Sequence, residues 1–152
     1  MTKALPEAVA APLDLANLDT GVASDNGAEI ELLHPTTNAP LDIFISILGK
    51  DSQAFREYVK SETNANIRRE AMAKRRGREA PSPTAEDIDE KAVELLVLCS
   101  TGWRSGDEKT LTYKGENLPF TVANAKRIYT EQLWIRRQVD EAIGDLENFM
   151  KP

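Results

Sequence analysis

Apolar residues alternate with polar ones in two short runs in the first third of the chain. Ile30 and Leu32 form the first run, and four apolar residues at every other position form the second: Leu41, Ile43, Ile45 and Ile47. Because successive side chains of a strand point to opposite faces, this period of two predicts two β-strands. Pro35 and Pro40 bound the intervening segment, so the strands are expected to pair as a hairpin.

A helix is expected to begin after Asp51 or Ser52, since a short side chain with an oxygen atom can accept hydrogen bonds from the first helical turn. Its apolar positions become sparse along the chain: Phe55, Tyr58, Val59, Ile67 and Met72. Its far end is crowded with cations, which are Arg68, Arg69, Lys74, Arg75, Arg76 and Arg78. There are three alternative roles for these cations: interaction with the helix dipole, recognition of an acidic protein surface, and binding of nucleic acid. The last alternative is disfavoured because the segment lacks aromatic side chains on which bases could stack.

A Pro-rich linker follows the basic helix end, near residues 74–84, and Thr84 with Asp87 then has the spacing of a capping box. A second helix is therefore expected from Thr84. Its predicted buried face consists of Ile88, Ala92, Leu95, Leu96 and Cys99. Its acidic residues are expected to face solvent: Glu86, Asp87, Asp89, Glu90 and Glu94.

The end of that helix is followed by a glycine and a tryptophan. Gly102 is expected to be the left-handed residue after the helix, with Trp103 packed back onto Leu98. Residues 110–113 and 118–120 flank a polar turn at Gly115, which predicts a second hairpin.

Two helices are expected after this hairpin. Thr121 can cap a helix over residues 122–129. The final helix is predicted from about Trp134 to Phe149, with one apolar face formed by Ile135, Val139, Ala142, Ile143, Leu146 and Phe149.

Together these elements predict an α+β fold: a single, mainly helical domain over residues 28–150 with two short antiparallel hairpins. A chain of 152 residues is long enough for one such core. Residues 1–27 are interpreted as a flexible N-terminal arm, because their composition buries too little apolar surface to offset the ordering of the chain. Five apolar residues could anchor this arm to a partner, namely Leu5, Val9, Leu13, Leu15 and Leu18. The alternative is a disordered tail with incidental leucines.

Composition argues against several kinds of site. The net charge of -6 disfavours nucleic acid as the main partner, since phosphate must meet a cationic surface. Cys99 and His34 are the only residues of their types, which excludes an internal disulfide and a zinc site built from Cys and His. No stretch approaches the roughly 18 apolar residues of a membrane span. We therefore expect a soluble protein without a metal or cofactor.

The sequence also lacks a convincing catalytic pattern. Neighbouring acids such as Asp140 and Glu141 diverge on a helix, and the turn at Gly115 lacks the several glycines of a phosphate-binding loop. Cys99 would need His34 as its base, because no other histidine exists. The chain is expected not to be an enzyme and to have no catalytic residues.

Several short motifs follow one another between Thr101 and Val139. They are Gly102-Trp103, the run from Tyr113 to Thr121 that reads Tyr-Lys-Gly-Glu-Asn-Leu-Pro-Phe-Thr, Asn124-Ala125, and Ile135-Arg136-Arg137-Gln138-Val139. In this order and spacing the chain resembles the tail assembly chaperones of long-tailed phages, the siphophages, over roughly residues 28 to 150. Because the chain stops at Lys151-Pro152, soon after its last predicted helix, it resembles the short form of those chaperones.

The resemblance implies a noncatalytic assembly factor that acts in the host cytoplasm and is absent from the mature virion. Such a factor binds the tape measure protein and helps to recruit tail tube subunits during tail morphogenesis. In many such phages a longer form arises by ribosomal frameshifting. A minor or completion structural protein of the tail is the alternative function, and a small DNA-binding regulator is a third.

Six residues are candidates for partner binding: Trp103, Tyr113, Phe120, Trp134, Arg68 and Arg69. The aromatic residues are chosen because aromatics commonly dominate interface energetics. Core packing is the alternative for each of them. A homo-oligomer is also expected, since the acidic second helix of one copy could pair with the basic helix end of another.

Overall fold

The computed structural model describes residues 12–150. Its α-helices are α1 (Thr20–Asn26), α2 (Gln53–Arg75), α3 (Ala85–Leu98), α4 (Val122–Glu131) and α5 (Leu133–Gly144). Its strands are β1 (Ala28–Leu33), β2 (Pro40–Ile47), β3 (Ser100–Ser105), β4 (Thr110–Tyr113) and β5 (Glu116–Pro119). Short 3-10 turns span Leu15–Leu18 and Leu146–Asn148. The expected single α+β domain with two antiparallel hairpins is confirmed.

Strand β2 lies at the centre of a three-stranded antiparallel sheet with the order β1-β2-β3. Ile45 of β2 stands opposite Ile30 of β1 and Trp103 of β3. The period-two pattern of β2 therefore gives one inward face, on which Ile45 and Ile47 are completely buried. Strands β4 and β5 form the separate second hairpin.

The expectation for Gly102 was wrong, because Gly102 and Trp103 lie inside strand β3. Helix α3 ends at Leu98, and the carbonyl of Cys99 accepts a hydrogen bond of 2.7 Å from the backbone N–H of Leu48. This bond places the chain directly beside β2, so it continues as a third strand. Gly102 consequently does not adopt a left-handed conformation.

Helices α3, α4 and α5 supply the rest of the core with the inward residues of the sheet. Ile128, Tyr129 and Val139 are almost completely buried there. The buried face of α3 matches the expectation in part: Leu96 and Cys99 are buried as predicted, but Val93 and Val97 are also buried, while Ile88 is 60% exposed and Ala92 is exposed. The buried side and the exposed side of α3 both carry apolar residues, so the spacing of apolar residues alone did not identify the buried side.

The predicted helix caps are confirmed. The hydroxyl of Ser52 accepts from the N–H of Phe55 at 3.2 Å, and Thr121 likewise begins α4. Thr84 and Asp87 form a complete capping box at the start of α3. Local side-chain chemistry thus fixes three of the helix starts.

Helix α1, which was not predicted, closes one end of the sheet. Its Ser24 is buried, and the carbonyl of Ser24 accepts from the N–H of Gly49 at 3.1 Å. The carboxylate of Asp25 accepts from the N–H of Gln53 at 2.7 Å. The packed domain therefore begins before residue 28, at or before Thr20. The arm candidates Leu5 and Val9 lie outside the described residues.

The last helix is shorter than expected, since α5 ends at Gly144 rather than at Phe149. The carboxylate of Asp145 accepts from the N–H of Glu147 at 3.1 Å and starts the 3-10 turn. The side-chain amide of Asn148 donates to the carbonyl of Ala142 at 3.1 Å, which satisfies a free carbonyl at the helix end. Phe149 nevertheless remains buried.

Candidate partner-binding site

Trp103, the first aromatic candidate, lies in the core. Only 5% of it is exposed, and its indole N–H donates to the carbonyl of Leu118 at 3.0 Å. Its ring meets that of Phe120 edge to face, with centroids 5.1 Å apart. Trp103 therefore joins strand β3 to the second hairpin, and core packing is its observed role.

Phe120 is only partly buried and lines a shallow surface groove of about 440 Å³. Gly102, Arg104 and Lys109 also line this groove. A Cβ atom at Gly102 would meet no atom within 4 Å, so the groove is open at this position. Phe120 thus presents an apolar edge beside Lys109 and the ion pair of Arg104 with Glu29.

Tyr113 is the centre of a polar network at the junction between α4 and α5. Its hydroxyl donates to the carboxylate of Glu131 at 2.7 Å and accepts from the side-chain amide of Gln132 at 3.0 Å. The hydrogen bond from Tyr113 lowers the pKa of Glu131, and the nearby charges of Lys114 and Arg127 act in the same direction. The network holds β4 against the two C-terminal helices.

Trp134 belongs to the same network through Gln132. Its indole N–H donates to the carbonyl oxygen of the Gln132 side chain at 3.2 Å, and its ring is partly buried. The structure therefore brings two pairs of aromatic candidates together, Trp103 with Phe120 and Tyr113 with Trp134. Sequence reasoning missed Gln132 because no periodic pattern marks a residue between two helices.

The other motif residues also have structural contacts. Asn124 donates from its side-chain amide to the carbonyl of Pro119 at 2.9 Å, and Ala125 is completely buried. Gln138 on α5 binds the backbone of Leu33 on strand β1. The motifs therefore connect the second hairpin and both C-terminal helices to the central sheet.

Arg68 and Arg69 belong to a separate surface on helix α2. No residue of this helix is buried, although it is 23 residues long. It meets α3 through Tyr58, whose hydroxyl donates to the carbonyl of Lys91 at 3.3 Å, and through an ion pair between Glu62 and Lys91. Arg68 and Arg69 lie beyond these contacts. The only side-chain hydrogen bond from either, within residues 12–150, joins Arg69 to Asn66.

The outer face of the central sheet carries a second charged cluster. The guanidinium of Arg104 binds the carboxylate of Glu29 at 2.8 and 2.9 Å and lies 3.9 Å from the centre of the Phe44 ring. The hydrogen bond from Arg104 lowers the pKa of Glu29. Arg104 therefore covers the largest apolar side chain of that face.

The single thiol and the single imidazole are far apart. Cys99 is completely buried, and burial raises the pKa of its thiol to about 11. His34 lies in the turn before β2, whereas Cys99 contacts the residue after β2. The length of β2 separates them by roughly 25 Å at the rise of a strand. These two residues do not form a nucleophile and its base.

Across residues 12–150 no group of three or more His, Cys, Asp or Glu side chains is placed to hold a metal ion. No helix within the same range has both the length and the apolar character needed to span a membrane.

Comparisons with family models, with curated proteins and with solved structures find no match to this chain.

Proposed function

We propose that this chain is a tail assembly chaperone of a siphophage, in the short form. It binds the tape measure protein in the host cytoplasm, helps to recruit tail tube subunits and leaves before the virion is complete. The observation that carries the proposal is the ordered set of motifs from Gly102 to Val139. Their residues form one packed unit, in which Trp103, Tyr113 and Gln138 each hold two elements together.

The surface of this unit supports a binding role. Phe120 is partly exposed beside the groove at Gly102, and Tyr113 and Trp134 are partly exposed at the junction of α4 and α5. A coat that must later be displaced needs contacts that are individually weak and repeated many times, because multivalency then supplies the total affinity. Small aromatic patches on each copy meet this requirement.

The proposed role is noncatalytic and requires no cofactor. The most reactive type of side chain in the chain is the thiol of Cys99, which is buried and has a raised pKa. A protonated thiol without access to solvent is a poor nucleophile. The buried hydroxyls of Ser100 and Tyr129 bond to each other at 2.7 Å and serve packing.

Coexpression with the tape measure protein encoded in the same genome tests this proposal. The two proteins should copurify, and the tape measure protein should remain in the soluble fraction only when this chain is present. Phe120→Ser should weaken the complex because it removes a partly exposed apolar anchor, whereas Val122→Ser should not, although Val122 is 69% exposed. Trp103 is unsuitable for such a test, since its replacement would disturb the core.

Failure of the tape measure protein to copurify with the folded wild-type chain would reject the proposal. Mass spectrometry of purified virions separates it from the alternative of a minor or completion structural protein. The chaperone should be absent from virions that contain the tube and tape measure proteins. Its presence in stoichiometric amounts would favour the structural alternative.

A further inference from the structure

Helix α2 concentrates positive charge in a chain that is acidic overall. Between Gln53 and Arg78 the sequence contains eight Lys or Arg residues and three Glu residues, while the whole chain has a net charge of -6. Across residues 12–150, none of the six cations from Arg68 to Arg78 forms an ion pair. These cations are therefore available to a partner.

Three of these cations and Lys60 share one face of α2 with an exposed apolar residue. Helical spacing places several residues on the side opposite Tyr58 and Glu62, and Gln53, Glu57 and Asn64 are among them. We call six others on this side the basic face: Lys60, Ile67, Arg68, Ala71, Lys74 and Arg75. Ile67 is 59% exposed. The basic face thus combines an apolar centre with cationic margins, and it suits a partner segment that is apolar and acidic.

Residues 12–22 have this complementary character, and we call them the acidic leucine segment. Its large apolar side chains are Leu13, Leu15, Leu18 and Val22, which are 67%, 76%, 50% and 54% exposed. Asp14 and Asp19 carry its charge, and the sequence contains no Lys or Arg between Lys3 and Lys50. Four exposed apolar side chains within ten residues exceed the isolated ones that a surface normally carries.

The acidic residues of α3 are a weaker match for the basic face. In addition to these acidic residues, α3 exposes only Ile88 and Leu98 as large apolar side chains, and exposed ion pairs contribute little by themselves. Burial of one leucine side chain contributes more than an exposed ion pair does. The acidic leucine segment offers four exposed apolar side chains within ten residues as well as two carboxylates, and it is the better occupant.

Within one copy, the acidic leucine segment lies near the start of α2, whereas most of the basic face lies further along the helix. Asp25 binds the N–H of Gln53, so α1 fixes the segment near the first turn of α2. Arg68 and Arg75 lie 15 and 22 residues further along, which corresponds to about 22 and 33 Å at the helical rise. A second copy is therefore the natural source of the segment.

We propose that the acidic leucine segment of one copy docks on the basic face of α2 in another copy. Each copy then contributes one segment and one face, so the contact joins unlike surfaces and can repeat from copy to copy. This contact is independent of the tape measure protein and of the proposed function.

Light scattering of the purified full chain tests the contact with two double variants, which are the test variants. Arg68→Glu with Arg75→Glu reverses the charge of the basic face, and Leu15→Ser with Leu18→Ser removes two apolar anchors. The first double variant has a matched control in Lys126→Glu with Arg137→Glu, two exposed positions outside both surfaces, which changes the net charge equally. The second has one in Val122→Ser with Leu133→Ser, two exposed positions outside both surfaces. Circular dichroism verifies that every variant retains its helices.

The wild type and both controls should form oligomers, while each test variant should weaken self-association at least about tenfold. An equimolar mixture of the two test variants should recover the mass of two chains but no more, because it contains one intact segment and one intact face. A monomeric wild type, unchanged masses in both test variants, or a mixture that stays monomeric would overturn the proposal. The proposal would also be overturned if the Arg variant alone lost binding to a labelled duplex DNA while its oligomer mass stayed unchanged.

Discussion

Gln138 satisfies both backbone groups of Leu33 at the free edge of strand β1. Its side-chain carbonyl accepts from the N–H of Leu33 at 2.9 Å, and its side-chain amide donates to the Leu33 carbonyl at 2.8 Å. The amide of Gln138 therefore imitates a neighbouring strand. Because unpaired strand edges invite association with other chains, this contact also protects the edge of the sheet.

Gln138→Ala should lower the free energy of unfolding by about 1–3 kcal/mol, since it leaves two partly buried backbone groups without partners. Urea denaturation followed by circular dichroism measures the loss. Arg137→Ala is the matched control, because Arg137 is exposed on the same helix and its replacement should change stability by less than about 0.5 kcal/mol. Equal stabilities of the two variants would show that the Gln138 contact contributes nothing.

The bond between Tyr113 and Glu131 should make stability depend on pH. The folded pKa of Glu131 is lowered, mainly by Tyr113, so the stabilisation is present above the unfolded pKa and is lost as pH falls through the folded pKa. Tyr113→Phe should therefore destabilise the protein more at pH 7 than below pH 4. Denaturation at several pH values measures the difference.

Glu131→Gln provides the control for this pH effect. In that background the carboxyl group is absent, so Tyr113→Phe should have the same effect at every pH. A difference between wild type and Tyr113→Phe that does not narrow at low pH would contradict the contribution of the Glu131 carboxylate.

Gly49 is required by close packing rather than by an unusual backbone angle. A Cβ atom at this position would lie 2.8 Å from the Cβ of Ser24 and 3.1 Å from the ring of Phe149. Gly49→Ala should therefore cost about 1–3 kcal/mol through overpacking. Gly144→Ala, where the new Cβ meets no atom within 4 Å, should instead be neutral or stabilising.

Ser24→Ala offers a second test at the same contact. The buried hydroxyl of Ser24 has no hydrogen-bond partner among the residues that the structure describes. Its removal should stabilise the protein by up to about 1 kcal/mol and should recover part of the cost of Gly49→Ala. Thermal unfolding of the two single variants and the double variant measures this coupling. Strict additivity would mean that the two positions do not interact.

Cys99 should be unreactive in the folded protein. Its pKa is raised from 9.0 to about 11, which corresponds to about a hundredfold less thiolate at pH 8, and the thiol is also completely buried. Alkylation by iodoacetamide, followed by mass spectrometry, should be at least a hundredfold slower in buffer than in concentrated urea. Similar rates in both conditions would place the thiol at the surface.

The sequence predicted those helices and strands that depend on residues close together in the chain. Alternation predicted β1 and β2, and the side chains of Ser52, Thr84 and Thr121 predicted three helix starts. Strand β3 was missed because residues 100–105 are small and polar except for Trp103 and Arg104. These residues form a strand only because β2 lies beside them, and this contact joins positions more than 50 residues apart.

The sequence predicted which types of residue form the candidate site, but it did not predict how exposed their side chains are. Trp103 and Phe120 are both aromatic residues near a predicted turn, yet the first is buried and the second is partly exposed. This difference depends on the packing of the second hairpin against β3, which no local pattern encodes. Gln132 was missed for the same reason, since its partners Tyr113 and Trp134 come from two different elements.

Deletion of the coding sequence of this chain from its genome, followed by electron microscopy of the lysate, tests the proposed function most directly. The proposal predicts particles with heads but without tails, and a plasmid copy of the gene should restore the tails. Tails of normal number and length in the deletion lysate would contradict it.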